Sequence, residues 1–483
     1  MNYVLIFPDE LRAESLGCYG HPYVQTPNID RLAAEGTLFE QNYTQHPVCV
    51  SSRCALATGL YPHVRGFRSL RNLLPDTEAN FFRQIRDAGY TTGIIGKDDC
   101  FDAESNQRVF SETYRFGRGG GGAWGKGGPV DIDRNYALLS EAAEAPTGDD
   151  FCNQDAADFL AKRKTDGKPF FLWLNYSYPH PAYTCPEPYY SMYDDCTPEM
   201  RDESWVNGKP ELYHAIRRNR HGDDPKNAGL YRKVNAVYLG MVSYVDKLVG
   251  EVMQMLRENG QLDDTTVILC SDHGDFAGDC GLAEKWPSAL DDMLARVPLI
   301  IRRPGEKQGH RVTTPTQSMD IFPTVFDFEN IEIRHDQFGV SLRPQVEGAA
   351  GDVKRVVYTE GGYDVREPQC FEGTEHWAFM MVPGGVYYPK LSQQQNEPAT
   401  VCRAVMRRDA RYKFIFRTSG DNELYDMLED PKEYRNLIHD PAYSGLRTEL
   451  EHKLLAWFVG CSDTSPHEEF LPEDVWHKAP AKA

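Results

Sequence analysis

Short apolar segments alternate with longer amphipathic stretches through the first three quarters of the chain. The short segments are rich in β-branched and aromatic residues, as buried strands are, and the longer stretches have helical spacing. Helices are predicted at 78–88 and 229–258, and strands at 3–7, 91–95, 170–174, 266–269 and 297–301. This alternation predicts an α/β fold, in which helices sandwich a large mixed, mostly parallel sheet.

The pattern changes near residue 370. Beyond it, polar-alternating strands at 404–406 and 412–416 are followed by a turn-rich region, Leu424-Tyr425-Asp426, and by a final helix at 444–458. We therefore predict a larger α/β domain over 1–370 and a smaller C-terminal α+β domain with an antiparallel sheet over 371–483. The glycine-rich stretch 116–130 has no strand before it and no helix after it, which favours a loop over a dinucleotide site.

Composition excludes several classes of protein. The 483 residues are 41% hydrophobic, which is typical of a globular chain, and the net charge of −20 argues against binding to nucleic acid or to an anionic membrane surface. No segment approaches eighteen uninterrupted apolar residues, so we expect no membrane span. The chain enters a strand at once, without a signal peptide, which predicts a cytoplasmic protein unless a signal for the periplasm or for secretion was removed.

Acidic residues follow two of the predicted strands. Asp9 and Glu10 come after the first strand, and Asp272 and His273 come after the strand at 266–269. Ligands in such sheets bind beyond the carboxyl ends of strands, and neighbouring carboxylates are stable together when a cation lies between them. The four side chains predict a divalent metal site. Its oxygen-rich ligands favour Ca²⁺, and the histidine leaves room for Mn²⁺ or Zn²⁺.

Three further polar residues lie beyond strands or close to the acidic segments. Lys97 follows the strand at 91–95, His180 follows the strand at 170–174, and Lys285 comes shortly after Asp272. A single lysine or histidine in a loop is usually solvated. We expect these three to converge on the metal site because the strand ends should meet at one edge of the sheet.

Cys49 precedes a predicted short helix. Ser51 and Ser52 are good N-cap residues and Gly59 is a plausible stop, which would place Cys49 just ahead of the helix N-terminus. The free N–H groups and the positive end of the helix dipole suit an anion at that place. For an isolated cysteine, a buried structural role would be the simpler interpretation.

The stretch from Cys49 to Gly59, CVSSRCALATG, resembles the signature C-x-P-S-R-x-x-x-L-T-G of the formylglycine-dependent sulfatase family, within the alkaline-phosphatase-like superfamily. The resemblance spans nearly the whole chain. It continues in the same order through DELR, TPNIDRLAAEGTLF, AGYTTGIIGK, PHP, SDHGD, RVPLIIR and ELYDMLEDP.

This resemblance implies a sulfatase that hydrolyses a sulfate monoester on a sugar or small alcohol. A maturation enzyme would oxidise Cys49 to formylglycine, whose hydrated aldehyde attacks sulfur. Arg53 would hold the sulfate or the hydrate, Lys97 and Lys285 would hold sulfate oxygens, and His180 would protonate the departing alcohol. The metal ligands implied are those predicted above: Asp9, Glu10, Asp272 and His273.

Three positions depart from the family pattern. Ser51 replaces the proline that the maturation machinery reads, and Glu10 stands where the family often has Asp or Gln and is one methylene longer than Asp. Asp99 replaces a histidine that often assists the hydrate, and it is expected to bind a cationic or hydroxyl-bearing part of the substrate.

Two alternatives remain at this point. One is a phosphonate monoester or phosphodiester hydrolase with the same nucleophile, although Lys97 favours sulfate. The other is an unmatured, non-catalytic sulfate-binding homologue, which Ser51 leaves open. The acidic surface favours a small sulfated molecule or a terminal saccharide over a long polyanionic chain.

Overall fold

The computed structural model describes residues 1–115, 136–196, 200–364, 366–367 and 387–464. The predicted loop at 116–130 lies outside the described residues. The strands are β1 (Asn2–Pro8), β2 (Thr37–Phe39), β3 (Asn42–Tyr43), β4 (Thr91–Gly96), β5 (Glu112–Arg115), β6 (Phe170–Tyr176), β7 (Thr265–Cys270), β8 (Leu299–Arg302), β9 (His310–Val312), β10 (Thr316–Gln317), β11 (Val357–Gly361), β12 (Ala404–Arg408), β13 (Tyr412–Arg417) and β14 (Glu423–Asp426).

In the described part of the chain, eight strands form one sheet in the order β5-β4-β6-β1-β7-β8-β2-β9. The first five strands of this order are parallel to one another. β8 is antiparallel to both of its neighbours, and β9 pairs parallel with β2. The prediction of a mixed, mostly parallel sheet is confirmed.

Helices cover both faces of this sheet. Within β1, Val4 and Ile6 belong to the apolar core on one face, and Leu5 and Phe7 belong to the core on the other. A strand buried on both faces has no polar alternation, which explains the continuous apolar run at the start of the chain. The α-helices are Pro27–Ala34, Cys49–Thr58, Pro62–Arg65, Phe81–Asp87, Ala103–Val109, Gly148–Asp166, Glu203–Val206, Glu211–Asn219, Ala228–Glu258, Asp292–Ala295, Ile321–Glu329, Arg343–Val346, Tyr388–Asn396 and Ser444–Gly460.

Among the described residues, we find no helix that is both long enough and apolar enough to span a membrane.

The C-terminal part of the chain contains an antiparallel four-stranded sheet in the order β11-β12-β13-β14. Its first strand comes from upstream of residue 370, and the domain boundary at that residue stays a prediction. The turn predicted at Leu424-Tyr425-Asp426 is wrong, because these residues pair with β13 as part of β14. The strand has only four residues, and two of them are acidic, so its sequence signal is weak. The final helix, Ser444–Gly460, agrees with the predicted 444–458.

Candidate active site

The predicted site residues converge at one edge of the main sheet. The adjacent parallel strands β4, β6, β1 and β7 end there together. Parallel strands place the residues that follow them at the same edge. The residues brought together in this way are Lys97 after β4, His180 after β6, Asp9 and Glu10 after β1, and Asp272 and His273 after β7.

The Cys49–Thr58 helix begins earlier than predicted. Cys49 is its first residue, and Val48 is the N-cap in an extended conformation. The prediction of Ser51 or Ser52 as the cap was wrong, because the Ser52 N–H already donates to the Val48 carbonyl at 2.9 Å. The Ser52 hydroxyl instead donates to the Asp272 carbonyl at 2.7 Å, which joins the helix to the end of β7. Gly59 ends the helix in the left-handed conformation, as predicted.

Cys49 lies among the polar side chains of the site and is only 2% exposed. Its sulfur is 3.2 Å from His273 Nε2, 3.7 Å from Asp9 Oδ1 and 3.8 Å from Lys97 Nζ. Burial, and next the charge of Asp9, raises the pKa of the thiol well above its usual value. A thiol that stays protonated is a weak nucleophile, so the unmodified side chain is poorly suited to attack an ester.

Arg53, one turn along the same helix, is fully buried beneath the site. Its Nη2 is 3.0 Å from Asp9 Oδ2, and its Nε is 3.0 Å from Asp272 Oδ2. Nη1 donates to the Asn175 side-chain oxygen at 2.7 Å and to the Lys97 carbonyl at 3.1 Å. The guanidinium thus ties the ends of β1, β4, β6 and β7 together. Its predicted contact with sulfate or hydrate stays a prediction.

Four donor side chains are close enough to share a cation. One ligand atom each from Asp9, Cys49, Asp272 and His273 lies within 4.8 Å of the others. Burial opposes ionisation of Asp9, but Lys97 and Arg53 hold its pKa well below the usual value. Burial lowers the pKa of His273, which keeps the ring neutral as a metal ligand must be. Two carboxylates and a neutral imidazole in a buried cluster fit a divalent cation.

Glu10 lies beside this group rather than in it. Its carboxylate forms a second set of possible ligands with Asp9 and His180. It also contacts the Lys285 ammonium. Its Oε2 has no hydrogen-bond partner among the described residues. Burial raises the pKa of Glu10 well above its usual value, with Lys285 opposing and Asp275 adding to the effect. The role of Glu10 as a metal ligand stays a prediction.

Two lysines and a histidine face the same space. Lys97 Nζ is 2.6 Å from Asp9 Oδ2 and 3.2 Å from Asp99 Oδ2. Lys285 Nζ is 3.2 Å from His180 Nε2, which is itself 3.4 Å from Glu10 Oε1. Burial, followed by the positive charges of Lys97 and Lys285, holds the pKa of His180 well below its usual value. The site is therefore rich in positive charge that an anionic ester would meet.

Sequence reasoning missed Asn175, Asp275 and Glu284. Asn175 lies in β6 and accepts from Arg53, and its position near a strand end was a usable signal. Asp275 accepts from the Tyr183 hydroxyl at 2.7 Å, and Glu284 lies 3.4 Å from Lys285. Nothing in the local sequence distinguishes these two acids from turn residues, because their partners come from distant segments.

Comparison with known proteins identifies the family of this chain. The family model described as "Sulfatase" matches residues 1–331. A multifunctional alkaline phosphatase superfamily protein of Trinickia caryophylli is 27% identical, covering 98% of each chain. An arylsulfatase of Clostridium perfringens is 27% identical, covering 92% of this chain and 91% of the relative. The crystal structure of a phosphonate monoester hydrolase of Agrobacterium radiobacter superposes with a TM-score of 0.75 at 24% identity, covering 95% and 96% of the two chains.

The fold and the clustered acids, lysines and histidines define a hydrolase with an alkaline-phosphatase-like architecture. The family match covers more than half of the chain, so this protein belongs to the sulfatase family. It is a sulfuric ester hydrolase.

Proposed function

We propose that this protein hydrolyses a sulfate monoester of a sugar or small alcohol through a formylglycine formed from Cys49. The observation that carries the proposal is the place of Cys49 within the candidate metal group, 3.2 Å from His273 and 3.8 Å from Lys97. A thiol held protonated by burial gains little from such surroundings. An aldehyde hydrate at the same position would have its hydroxyls beside both the cation and the lysine.

A divalent cation fits the donor set of Asp9, Asp272 and His273, with Glu10 as the fourth predicted ligand. The carboxylate oxygens favour Ca²⁺, and the imidazole nitrogen also admits Mn²⁺ or Zn²⁺. When bound, the cation supplies positive charge that polarises oxygen ligands. The unpartnered Glu10 Oε2 in the described structure is consistent with a ligand that this carboxylate still lacks.

Lys97 and Lys285 are proposed to bind the sulfate oxygens. Although burial opposes the charged form of each, Asp9 raises the pKa of Lys97, and the ionised Glu284 raises that of Lys285. Both side chains therefore stay positively charged at neutral pH. Fixed cations in a buried site stabilise the charge that develops on the ester, with each such donor typically contributing about 3 kcal/mol.

His180 is proposed to deliver the proton to the departing alcohol. Its Nδ1 contacts the Pro181 carbonyl, and in the tautomer that donates to this oxygen, Nε2 accepts from Lys285. His180 is neutral at rest because its pKa is lowered. Binding of an anionic ester beside His180 would favour the protonated ring, which would then donate its Nε2 proton to the departing oxygen while Lys285 keeps its charge.

Asp99 is proposed to contact the part of the substrate beyond the sulfate. Its side chain is 35% exposed, and its carboxylate pairs with Lys97 at 3.2 Å. This pairing limits its repulsion of sulfate, and the exposed carboxylate remains available to a sugar hydroxyl or a cationic group. A small sulfated molecule or the terminal residue of a saccharide fits such a site better than a long polyanion.

The test combines mass spectrometry with steady-state kinetics. The protein is produced in a host that contains a maturation enzyme, and formylglycine is quantified in the peptide spanning residues 46–53. Values of kcat/KM are then compared for 4-nitrophenyl sulfate and an aryl phosphonate, followed by sulfated mono- and disaccharides. We expect formylglycine at position 49 and a higher kcat/KM for the sulfate.

Two other outcomes would point to different functions. Faster turnover of the phosphonate would support a phosphonate monoester hydrolase. Unmodified Cys49 in protein from its native host, together with sulfate binding but no turnover, would support a non-catalytic homologue.

A further inference from the structure

Glu284 precedes Lys285 and has an uncommon backbone conformation. Its φ of 65° lies in the left-handed region, which residues other than glycine seldom adopt. Its N–H lies 2.8 Å from the Tyr183 hydroxyl oxygen and 3.1 Å from Asp275 Oδ1. The Tyr183 hydroxyl in turn donates to Asp275 at 2.7 Å. These contacts hold the backbone of Glu284 in its place.

Three cations surround the Glu284 carboxylate. Lys390 Nζ is 2.9 Å from Oε1, Arg220 Nη2 is 3.2 Å from Oε2, and Lys285 Nζ is 3.4 Å from Oε1. All four side chains are buried. Burial alone would raise the pKa of Glu284, but Lys390, Lys285 and Arg220 together hold it below the usual value. Glu284 is therefore an anion at neutral pH.

Lys285 has as many hydrogen-bond partners as it has N–H donors. An ammonium group offers three donors, and the neighbours of Nζ are Glu10, His180 and Glu284. Without the Glu284 carboxylate, Lys285 Nζ would keep only its contacts with Glu10 and His180. The ammonium would then have one donor without an acceptor and would no longer be held in its present position.

We propose that Glu284 is a positioning residue, which holds Lys285 in place for the sulfate, and that Lys390 keeps Glu284 charged and oriented. Lys390 lies in the Tyr388–Asn396 helix, beyond the residues 1–331 that the family model matches. The C-terminal part of the chain thus contributes to the arrangement of the active site. This inference rests on the proposed function, because it takes Lys285 as a sulfate-binding residue.

A double-mutant cycle tests the inference. Glu284→Gln, Lys390→Met, their combination and Lys390→Arg are compared with wild type by kcat and KM for 4-nitrophenyl sulfate, normalised to formylglycine content. We expect kcat to fall about 10- to 100-fold for Glu284→Gln and about 10-fold for Lys390→Met, and Lys390→Arg to stay close to wild type. The double variant should be no worse than Glu284→Gln alone, because both changes act through one carboxylate.

Inorganic sulfate provides a readout that does not require turnover. Calorimetry should show about 10-fold weaker sulfate binding for Lys390→Met and near wild-type binding for Lys390→Arg. A wild type that binds sulfate but hydrolyses no sulfate ester would refute the proposed function, and the binding series would still decide the role of Glu284. A wild type that neither binds sulfate nor turns over would overturn both.

Lys413→Met is the matched control, because it also removes a buried lysine. Lys413 lies in β13 of the smaller sheet, and its Nζ is 2.8 Å from Asp292 and 2.6 Å from Glu433. We expect it to lower the melting temperature while kcat and sulfate affinity per mature molecule stay unchanged. Additive losses in the cycle, or wild-type kinetics in folded Lys390→Met, would overturn the inference. Should Glu284→Gln fail to fold, the two Lys390 variants still carry the test.

Discussion

Arg53 joins Asp9 to Asp272 through a single guanidinium, at 3.0 Å from one carboxylate oxygen of each. The two acids come from opposite halves of the chain and follow adjacent strands, β1 and β7. All three side chains are fully buried, so each charge depends on the others for compensation. The same contacts hold the two carboxylates at the separation that the candidate cation site requires.

Arg53→Met is expected to destabilise the protein by about 3 kcal/mol and to abolish activity, because it leaves the buried Asp272 carboxylate without its counter-charge and Asp9 with Lys97 alone. Urea unfolding measures the first effect and steady-state kinetics the second. Added Ca²⁺ should recover part of the lost stability, since a cation bound between the acids replaces the missing charge. Unchanged stability in the absence of metal would contradict this account of Arg53.

Cys49→Ala and Asp272→Ala should both abolish turnover, by different routes. The first removes the precursor of the nucleophile and leaves the carboxylates in place, so the metal should stay bound. The second removes a proposed ligand, so the metal content should fall. Metal analysis of the two purified variants, alongside kcat, separates these effects. Retention of full activity by either variant would contradict the assignment.

Gly96 is expected to tolerate no side chain. Its φ is 90°, and a Cβ there would lie 1.9 Å from the backbone oxygen of Asn175. Gly96→Ala should therefore displace Lys97, which follows it, and lower both stability and activity. Gly89→Ala is the matched control, because Gly89 has a φ of 98° with open space around its Cβ position.

The control isolates backbone strain from the steric clash. Gly89→Ala should cost about 1 kcal/mol of unfolding free energy and leave kcat unchanged. Equal effects of the two substitutions would show that the clash at Gly96 is relieved without consequence for Lys97.

Ser51→Pro should increase the formylglycine content without loss of stability. Ser51 is the third residue of the Cys49–Thr58 helix, where the N–H has no intrahelical acceptor and proline is tolerated. Its hydroxyl is buried with no hydrogen-bond partner among the described residues. We expect the free energy of unfolding to change by less than about 1 kcal/mol.

Mass spectrometry of residues 46–53 from a host whose maturation enzyme reads C-x-P-x-R gives the formylglycine content. The same modified fraction in Ser51→Pro and wild type would show that Ser51 does not limit maturation.

Asp149 should make stability depend on pH. It accepts from the Ser177 and Tyr178 N–H groups at 3.0 and 2.9 Å, just before His180, and burial raises its pKa to about 7. As pH rises from about 4 to 7, the unfolded carboxyl releases its proton before the folded one does. The contribution of Asp149 to stability therefore falls through this window and is constant above it.

Asp149→Asn tests this assignment because it removes the titrating group. The difference in melting temperature between wild type and Asp149→Asn, measured from pH 4 to 8, should shift against wild type as pH rises. A difference that is independent of pH would show that the carboxyl titrates normally in the folded protein.

The gap between sequence and structure is clear at the Cys49–Thr58 helix. Ser52 is a favourable cap by local preference, yet its hydroxyl contacts the Asp272 carbonyl, 220 residues away. Val48, a poor cap by preference, takes that position instead. Tertiary contacts overrode the local preference, because Ser52 and Arg53 both bind Asp272, which follows β7. Glu10 is a second case that local sequence could not predict, because its partner Lys285 lies in a distant segment of the chain.

The sequence by itself determined the sheet architecture and the residues that gather at its edge. Uninterrupted apolar strands require two covered faces, and parallel strands bring their carboxyl ends together, so polar residues after them must meet. Only the tertiary structure decided which charges pair there: Arg53 with Asp9 and Asp272, and Glu284 with Lys285 and Lys390. Pairing of buried charges depends on separations of a few ångströms between distant segments, and no local pattern encodes those separations.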